Sequence, residues 1–266
     1  MWKFRRQSRQ ADAGQSRQAD AGSHHFEKLM NEAPAFSARL ASLKAESKVV
    51  FPWYPYDTLS NLWHIAPLVT HEYDFLFQPG KRYADIGCAD GVLAFYLESQ
   101  NHHCDVYDYA PTNYNSLKGV AWLKDALGSS VGIIEQDLDS QFKMAGEYDL
   151  VLLLGILYHL KNPFYVLERL AESSRYLLLS TRIARQFRAG TADVADVPAA
   201  YLLGPDESNN DATNFWIFTA AGLRRVADRA GWDVVAMRTV GDVTHSNPQD
   251  ADHDERAFAL LRSRRG

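Results

Sequence analysis

The sequence predicts an α/β fold: an open, mostly parallel sheet of the nucleotide-binding kind, behind a helical and aromatic N-terminal extension. Three observations carry this. Residues 83–91, YADIGCADG, pass from small and apolar residues into a glycine-bearing turn, and VLAFYLES follows with Leu93, Tyr96 and Leu97 at helical spacing. Strand, tight turn and helix in that order form the entry unit of such a sheet. A second strand, HCDVYDYA, ends on Asp108, 23 residues beyond Asp85. An acid at about that distance suits the hydroxyls of a ribose. Lastly, YDLVLLLGIL is apolar on both faces, as an internal parallel strand is.

The 266 residues suit one α/β domain with an appendage, and 46% apolar residues suffice for a full core. A net charge of −5 gives no global basic field for nucleic acid. Residues 1–22 hold five Lys/Arg against two Asp, which leaves the remainder near −8. Cys88 and Cys104, with no C-x-x-C and no framework spacing, read as reduced thiols of a cytoplasmic protein. The start, MWKFRRQSRQ, lacks the apolar stretch of a secretory signal. The longest apolar run, residues 150–157, is too short to span a membrane.

Within residues 7–22 the octapeptide QSRQADAG occurs twice in tandem. Polar and small throughout, residues 1–22 read as a disordered, solvated tail whose arginines are open to an acidic partner. His24-His25 lacks further ligands at metal spacing. Residues 23–78 form the extension. Phe26, Leu29, Met30, Phe36, Leu40 and Leu43 give a helical pattern from Phe26 to about Lys48, interrupted at Pro34. VVFPWYPYDTLSNLWHIAPL then sets Phe51, Trp53, Tyr54, Tyr56 and Trp63 among prolines that exclude a regular helix. It is a core cap or a pocket wall; aromatic stripes are more often core.

Residues 79–266 carry the sheet. A helix is expected from Thr112, with Leu117, Val120, Ala121 and Leu127 on its buried face and Gly128 as its stop. The third strand, VGIIEQD, ends at Asp137. The fourth brings Gly155, Tyr158 and His159 to the carboxyl edge, where open sheets bind ligands. Asn162 caps the next helix, with Pro163 at its first position. RYLLLSTRI is strand five. A long irregular stretch, about residues 185–218, carries Tyr201, Phe215 and Trp216 and reads as a functional loop. Thr219 caps AAGLRRVADRA and Gly231 stops it. WDVVAMRTV and RAFALLRS, joined by the acidic loop 241–255, form a closing hairpin.

The glycine turn selects among ligands. In the dinucleotide register G-x-G-x-x-G the chain offers Gly87, Ala89 and Val92, which speaks against an NAD-dependent oxidoreductase. What is present, Asp85, Gly87 and Gly91, resembles motif I of the class I S-adenosylmethionine (SAM) methyltransferases, D-x-G-x-G-x-G, with Ala89 at the middle glycine. SAM has no phosphates; glycines let the backbone approach it, and a strand-end acid favours its cationic end. With Asp108, Asp137 and LGILYHLKNPF, residues 81–263 resemble that family. The resemblance implies a Rossmann-like seven-stranded methyltransferase sheet, SAM as cofactor and S-adenosylhomocysteine (SAH) as product. It implies cofactor-binding roles for Asp85, Gly87, Cys88, Ala89 and Gly91, for Asp108 and Tyr109 near the ribose, for Asp137 and Leu138 near the adenine, with Asp139 competing, and for Gly155.

Pro52-Trp53, LGILYHLKNP and TNFWIFTAAGLRRVADRAGW are similar to the branch that contains the tRNA wobble-uridine carboxymethyltransferase, matched at Trp53, Tyr158, His159 and Asn214. That branch follows its PW with a basic pair whose lysine helps hold a carboxylated SAM; this chain has Tyr54-Pro55. The implied reading is a relative that uses plain SAM on an unidentified small-molecule acceptor. The alternatives are a tRNA wobble-uridine methyl- or carboxymethyltransferase-like enzyme and a non-catalytic SAM-binding protein. Arg182 or Arg185 would be the cation for a carboxylated donor, and with Arg188 the candidates for tRNA phosphate. His159 is the candidate base, or else a backbone anchor; Tyr158 is a second catalytic candidate and His64 a weaker one. Trp53, Tyr54, Asn214 and Trp216 are the substrate-side candidates, with the extension and the 185–218 loop as a lid.

Overall fold

Strands apolar on both faces must be buried between helices, and the chain folds to do this. The structure, a computed structural model, describes residues 25–208 and 211–265. The octapeptide tail and His24 lie outside those residues. Strands β1 (Arg82–Ile86), β2 (His103–Asp108), β3 (Gly132–Glu135), β4 (Tyr148–Leu154) and β5 (Ser174–Ile183) pair in parallel in the order β3-β2-β1-β4-β5. The closing hairpin of β8 (Trp232–Gly241) and β9 (Glu255–Ser263) extends the sheet, β9 lying antiparallel on β5. Helices α3 (Val92–Ser99), α4 (Lys118–Leu127) and α5 (Pro163–Ser173) make the crossovers from β1 to β2, β2 to β3 and β4 to β5, while β3 reaches β4 through an irregular segment; α6 (Ala220–Arg229) precedes β8. Alternate residues of β4 split between two cores, Leu150 and Leu152 on one face and Val151 and Leu153 on the other.

The extension is part of the first core. Helix α1 (His25–Glu46) buries Phe26, Leu29, Met30, Ala33 and Leu40 in the cluster that holds Tyr83, Leu93 and Tyr96. The Asp74 carboxylate accepts from the His25 and Phe26 amides at its start. Tyr96 Oη donates to the Leu29 carbonyl. The helix runs unbroken through Pro34, contrary to the expected interruption: Pro34 faces outward, and burial of Met30, Ala33 and Leu40 around it outweighs one missing N–H. Residues 47–57 are irregular, as the prolines require; short helical turns then follow, among them α2 (Asn61–Ile65).

Other expectations shift by a few residues. Helix α4 begins at Lys118, not Thr112, because the Asn113 side chain accepts from the Asn115 and Leu117 amides and Leu117 takes φ 64°. Ala121 is exposed, off the buried face. Strand β3 stops at Glu135, since the Asp137 carboxylate turns the chain by accepting from the Asp139 amide. The long stretch after β5 is less irregular than expected: β6 (Ala200–Leu202) and β7 (Trp216–Phe218) pair there, and Phe218 of β7 meets Ile183 of β5.

Candidate active site

The chain crosses from β3 to β4 on the far side of β1, so the switch point of the sheet lies between β1 and β4. In open α/β sheets that crevice at the carboxyl ends binds the ligand. The loop 87–91 floors it. Gly87 takes φ 71°, and a Cβ there would fall 2.3 Å from the Ile156 side chain, so the conformation and the space both demand glycine. Gly91 precedes α3 in the left-handed region, and Ala89 is forced there too, at φ 55°.

Two carboxylates face this loop. Asp85 is buried and has no hydrogen-bond partner among the described residues. Burial, then the nearby Asp108, pushes its pKa up to about 7. Asp108 ends β2. Its oxygens accept from the Tyr109 amide at 2.7 Å and from Asn113 Nδ2 at 3.0 Å, yet burial still raises its pKa. The Cys88 thiol is pushed up by burial and by both acids, so it is a neutral packing group. Asp137 and Leu138 follow β3 on the same edge, with Leu138 buried. Asp139 is engaged elsewhere: its carboxylate accepts from the Lys161 and Asn162 amides. That leaves Asn162 at the start of α5 with no capping bond from its own side chain, a correction to the expected cap.

The loop is tied to the extension by Asp90, a residue that no motif singles out. Buried, it accepts from Lys44 Nζ at 2.7 Å, the Tyr54 amide at 3.1 Å and Asn115 Nδ2 at 2.8 Å. The Tyr54 hydroxyl accepts from the Tyr114 amide, which lays the ring over the loop near Asp108 and Cys88. Trp53 packs edge-on against Phe51 and Trp122 beneath Lys44, a core contact.

Gly155, Tyr158 and His159 follow β4. A clamp from residues 211–216 holds this turn: the Phe215 amide donates to the Tyr158 carbonyl at 2.8 Å and Trp216 Nε1 to the Lys161 carbonyl at 3.2 Å. His159 Nδ1 lies 3.1 Å from both the carbonyl and the hydroxyl of Thr213. That hydroxyl donates to Asp211, so it accepts from the ring; Nδ1 carries the proton and Nε2 the lone pair. Burial lowers the His159 pKa, which keeps the ring neutral. Buried Asn214 donates to the Ser208 carbonyl, and its own side-chain oxygen has no partner among the described residues. His64 stacks on Phe258.

The arginines divide. Arg182 is buried against Asp254 and Ser208, and Arg185 pairs with Asp193 and Glu255. Arg256, which sequence reading passed over, lies with its guanidinium 5.5 Å from the Tyr158 ring centre and Nη1 3.4 Å from where a Cβ on Gly155 would stand. The missed signal was register: a last strand antiparallel to β5 puts its first residues at the carboxyl edge.

The comparisons agree with this fold. The family model described as "Methyltransferase domain" (Methyltransf_23) matches residues 62–237. No curated protein matches the sequence. Among solved structures, the N-terminal domain of EvdMO1 with SAH and D-fucose is similar at TM-score 0.56 and 17% identity, over 91% of this chain and 100% of that one. Coclaurine N-methyltransferase with N-methylheliamine and SAH is similar at 0.55 and 15%, over 90% and 88%. The [4+2]-cyclase SpnF, at 0.58 and 13% over 92% and 98%, shares the fold under a different activity. The unpartnered Asp85 and the glycine loop at the switch point suit a cationic, phosphate-free nucleoside. The chain belongs to the Methyltransferase domain family and is a SAM-dependent methyltransferase.

Proposed function

We propose that the enzyme methylates a small-molecule acceptor held over β4, β5 and β9, between the extension and the clamp. The observation that carries this reading is the buried Asp85 carboxylate, raised in pKa and without a partner, at the crossing point of the sheet. Burial holds this acid towards its neutral form, and the charged form is costly there unless a cation meets it. Asp108 would accept from the ribose, Leu138 would lie beside the adenine, and Asp137 would meet its amino group. The cofactor then runs from β3 towards β1 and leaves the ground beyond β4 to the acceptor. When bound, SAM supplies a methyl already electrophilic on its sulfonium. The chain's residues therefore mainly position and dry the site. His159, with its Nε2 lone pair, would take the proton of a hydroxyl or amine acceptor.

The small-molecule ligands of EvdMO1 and coclaurine N-methyltransferase support this over a tRNA acceptor. Of the three candidate phosphate contacts, Arg182 and Arg185 are already paired with acids, which leaves the exposed Arg188 alone rather than a cluster. Among the described residues, no helix is long and apolar enough to cross a membrane. Calorimetric titration with SAM, SAH and NAD tests the reading. SAM and SAH should bind and NAD should not. Asp108→Ala should weaken SAM by about 1.5–3 kcal/mol, the scale of lost hydrogen bonds to a charged group. Unchanged affinity in that variant would remove the ribose assignment.

A further inference from the structure

Arg256 is a cation without a counter-ion. Among the described residues no carboxylate lies within ion-pairing distance of it, although its strand neighbour Glu255 is paired with Arg185 and its cross-strand partner Arg182 with Asp254. The half-buried guanidinium is held instead by the face of Tyr158 and by the space that Gly155 leaves. Its electrostatic neighbours include Tyr56, His64 and His159, none of which carries a compensating charge near neutral pH. Arginine is protonated at any working pH and presents a planar fork that matches a carboxylate.

Its place in the sheet matters as much as its charge. The order across the carboxyl edge is Asp137 after β3, Asp108 on β2, Gly87 after β1, Gly155 after β4, and Arg256 on β9 beyond β5. If the cofactor spans β3 to β1, as proposed above, its sulfonium faces the β4 turn, and Arg256 lies past it on the acceptor side. Two cations then flank the reacting centre. Asp85 would meet the cofactor's cationic end from one side; on the acceptor side an anion beside Arg256 would relieve the remaining repulsion.

We propose that Arg256, with Tyr158 beside it, holds a carboxylate next to the transferable methyl, and that this carboxylate belongs to the acceptor. The inference rests on the methyltransferase reading and adds the chemical class of the substrate: a small organic acid, methylated on the carboxylate or on a group close to it. The same chemistry would arise from a carboxylated form of SAM. The acceptor is favoured as its source because Tyr54 and Pro55 bring no cation and Lys44, the extension's cation at the loop, is already paired with Asp90, so a second charge on the donor would be met from one side only.

The test titrates the full chain saturated with SAH. Acetate, benzoate and phenylacetate are each compared with their neutral amides, and SAM is compared with carboxylated SAM. At least one carboxylate should bind about tenfold or more tightly than its amide, the scale of one charge-assisted pair. Arg256→Gln should erase that preference and Arg256→Lys should keep part of it, with SAH affinity unchanged in both. Amides binding as well as acids, or a preference that survives Arg256→Gln, would overturn the proposal. So would an Arg256-dependent gain seen with the carboxylated donor alone. The SAH titration stands apart: failure of the wild-type chain to bind SAH would strike the methyltransferase reading, whereas equal binding of acids and amides with SAH bound strikes only the role of Arg256.

Discussion

Ala89 stands where motif I of the family has a glycine, and it is held at φ 55°. The left-handed region costs an L-residue about 1–2 kcal/mol. Its methyl is buried, and losing it to solvent costs about 0.8 kcal/mol. Strain is the larger effect, so Ala89→Gly should raise unfolding free energy by roughly 0.5 kcal/mol, read as a higher denaturant midpoint at unchanged slope. A lower midpoint would mean that methyl packing dominates. Residues of this kind were legible because one local rule governs them: Gly87 needs positive φ, and Asp108 sits at a strand tip a fixed distance on. Arg256 was not legible. Nothing in RAFALLRS separates it from Arg262 until the antiparallel register is known. Asp90 was hidden in the same way, because Lys44, Tyr54 and Asn115 reach it from three distant segments.

Elements follow the same division. The buried strands and the closing hairpin were readable from pattern alone, since both faces of β4 are apolar and an acidic loop separates β8 from β9. The hairpin of β6 and β7 was not, because three-residue strands carry no period; they exist through pairing with each other and with Ile183. That hairpin anchors the clamp on the turn after β4. Trp216→Phe keeps the ring and removes the bond from Nε1 to the Lys161 carbonyl, at a cost of about 1 kcal/mol. The expected outcome is faster hydrogen exchange of the His159 and Leu160 amides, which close this turn on Ile156 and Leu157, with SAM affinity within about twofold of wild type. Unchanged exchange would mean that the Phe215 and Thr213 contacts hold the turn without Trp216.

For the whole molecule, Asp85 ties cofactor binding to folding stability through one proton. Its folded pKa of about 7 lies well above the unfolded carboxylate range near 4. Between those values the native state holds a proton that the unfolded chain has lost, so this group's contribution to stability falls as pH rises through the window. Asp108, also raised, acts in the same sense. Buried His102, lowered to about 4, and the lowered His64 and His159 act in the opposite sense, since the unfolded chain binds their protons first. The bare pH profile therefore mixes signs, and the difference between wild type and Asp85→Asn isolates the one group. Without ligand, that variant should gain in melting temperature over wild type as pH rises from 5 to 8. With SAM the order should reverse. The sulfonium keeps its charge at every pH, so wild-type affinity should climb up to pH 7 as Asp85 ionises and then level off, by at most about tenfold per pH unit. Asp85→Asn should bind SAM more weakly, with a flatter profile. A wild-type SAM affinity independent of pH between 5 and 8 would show that Asp85 keeps its proton when the cofactor binds, and would remove it as the partner of the cationic end.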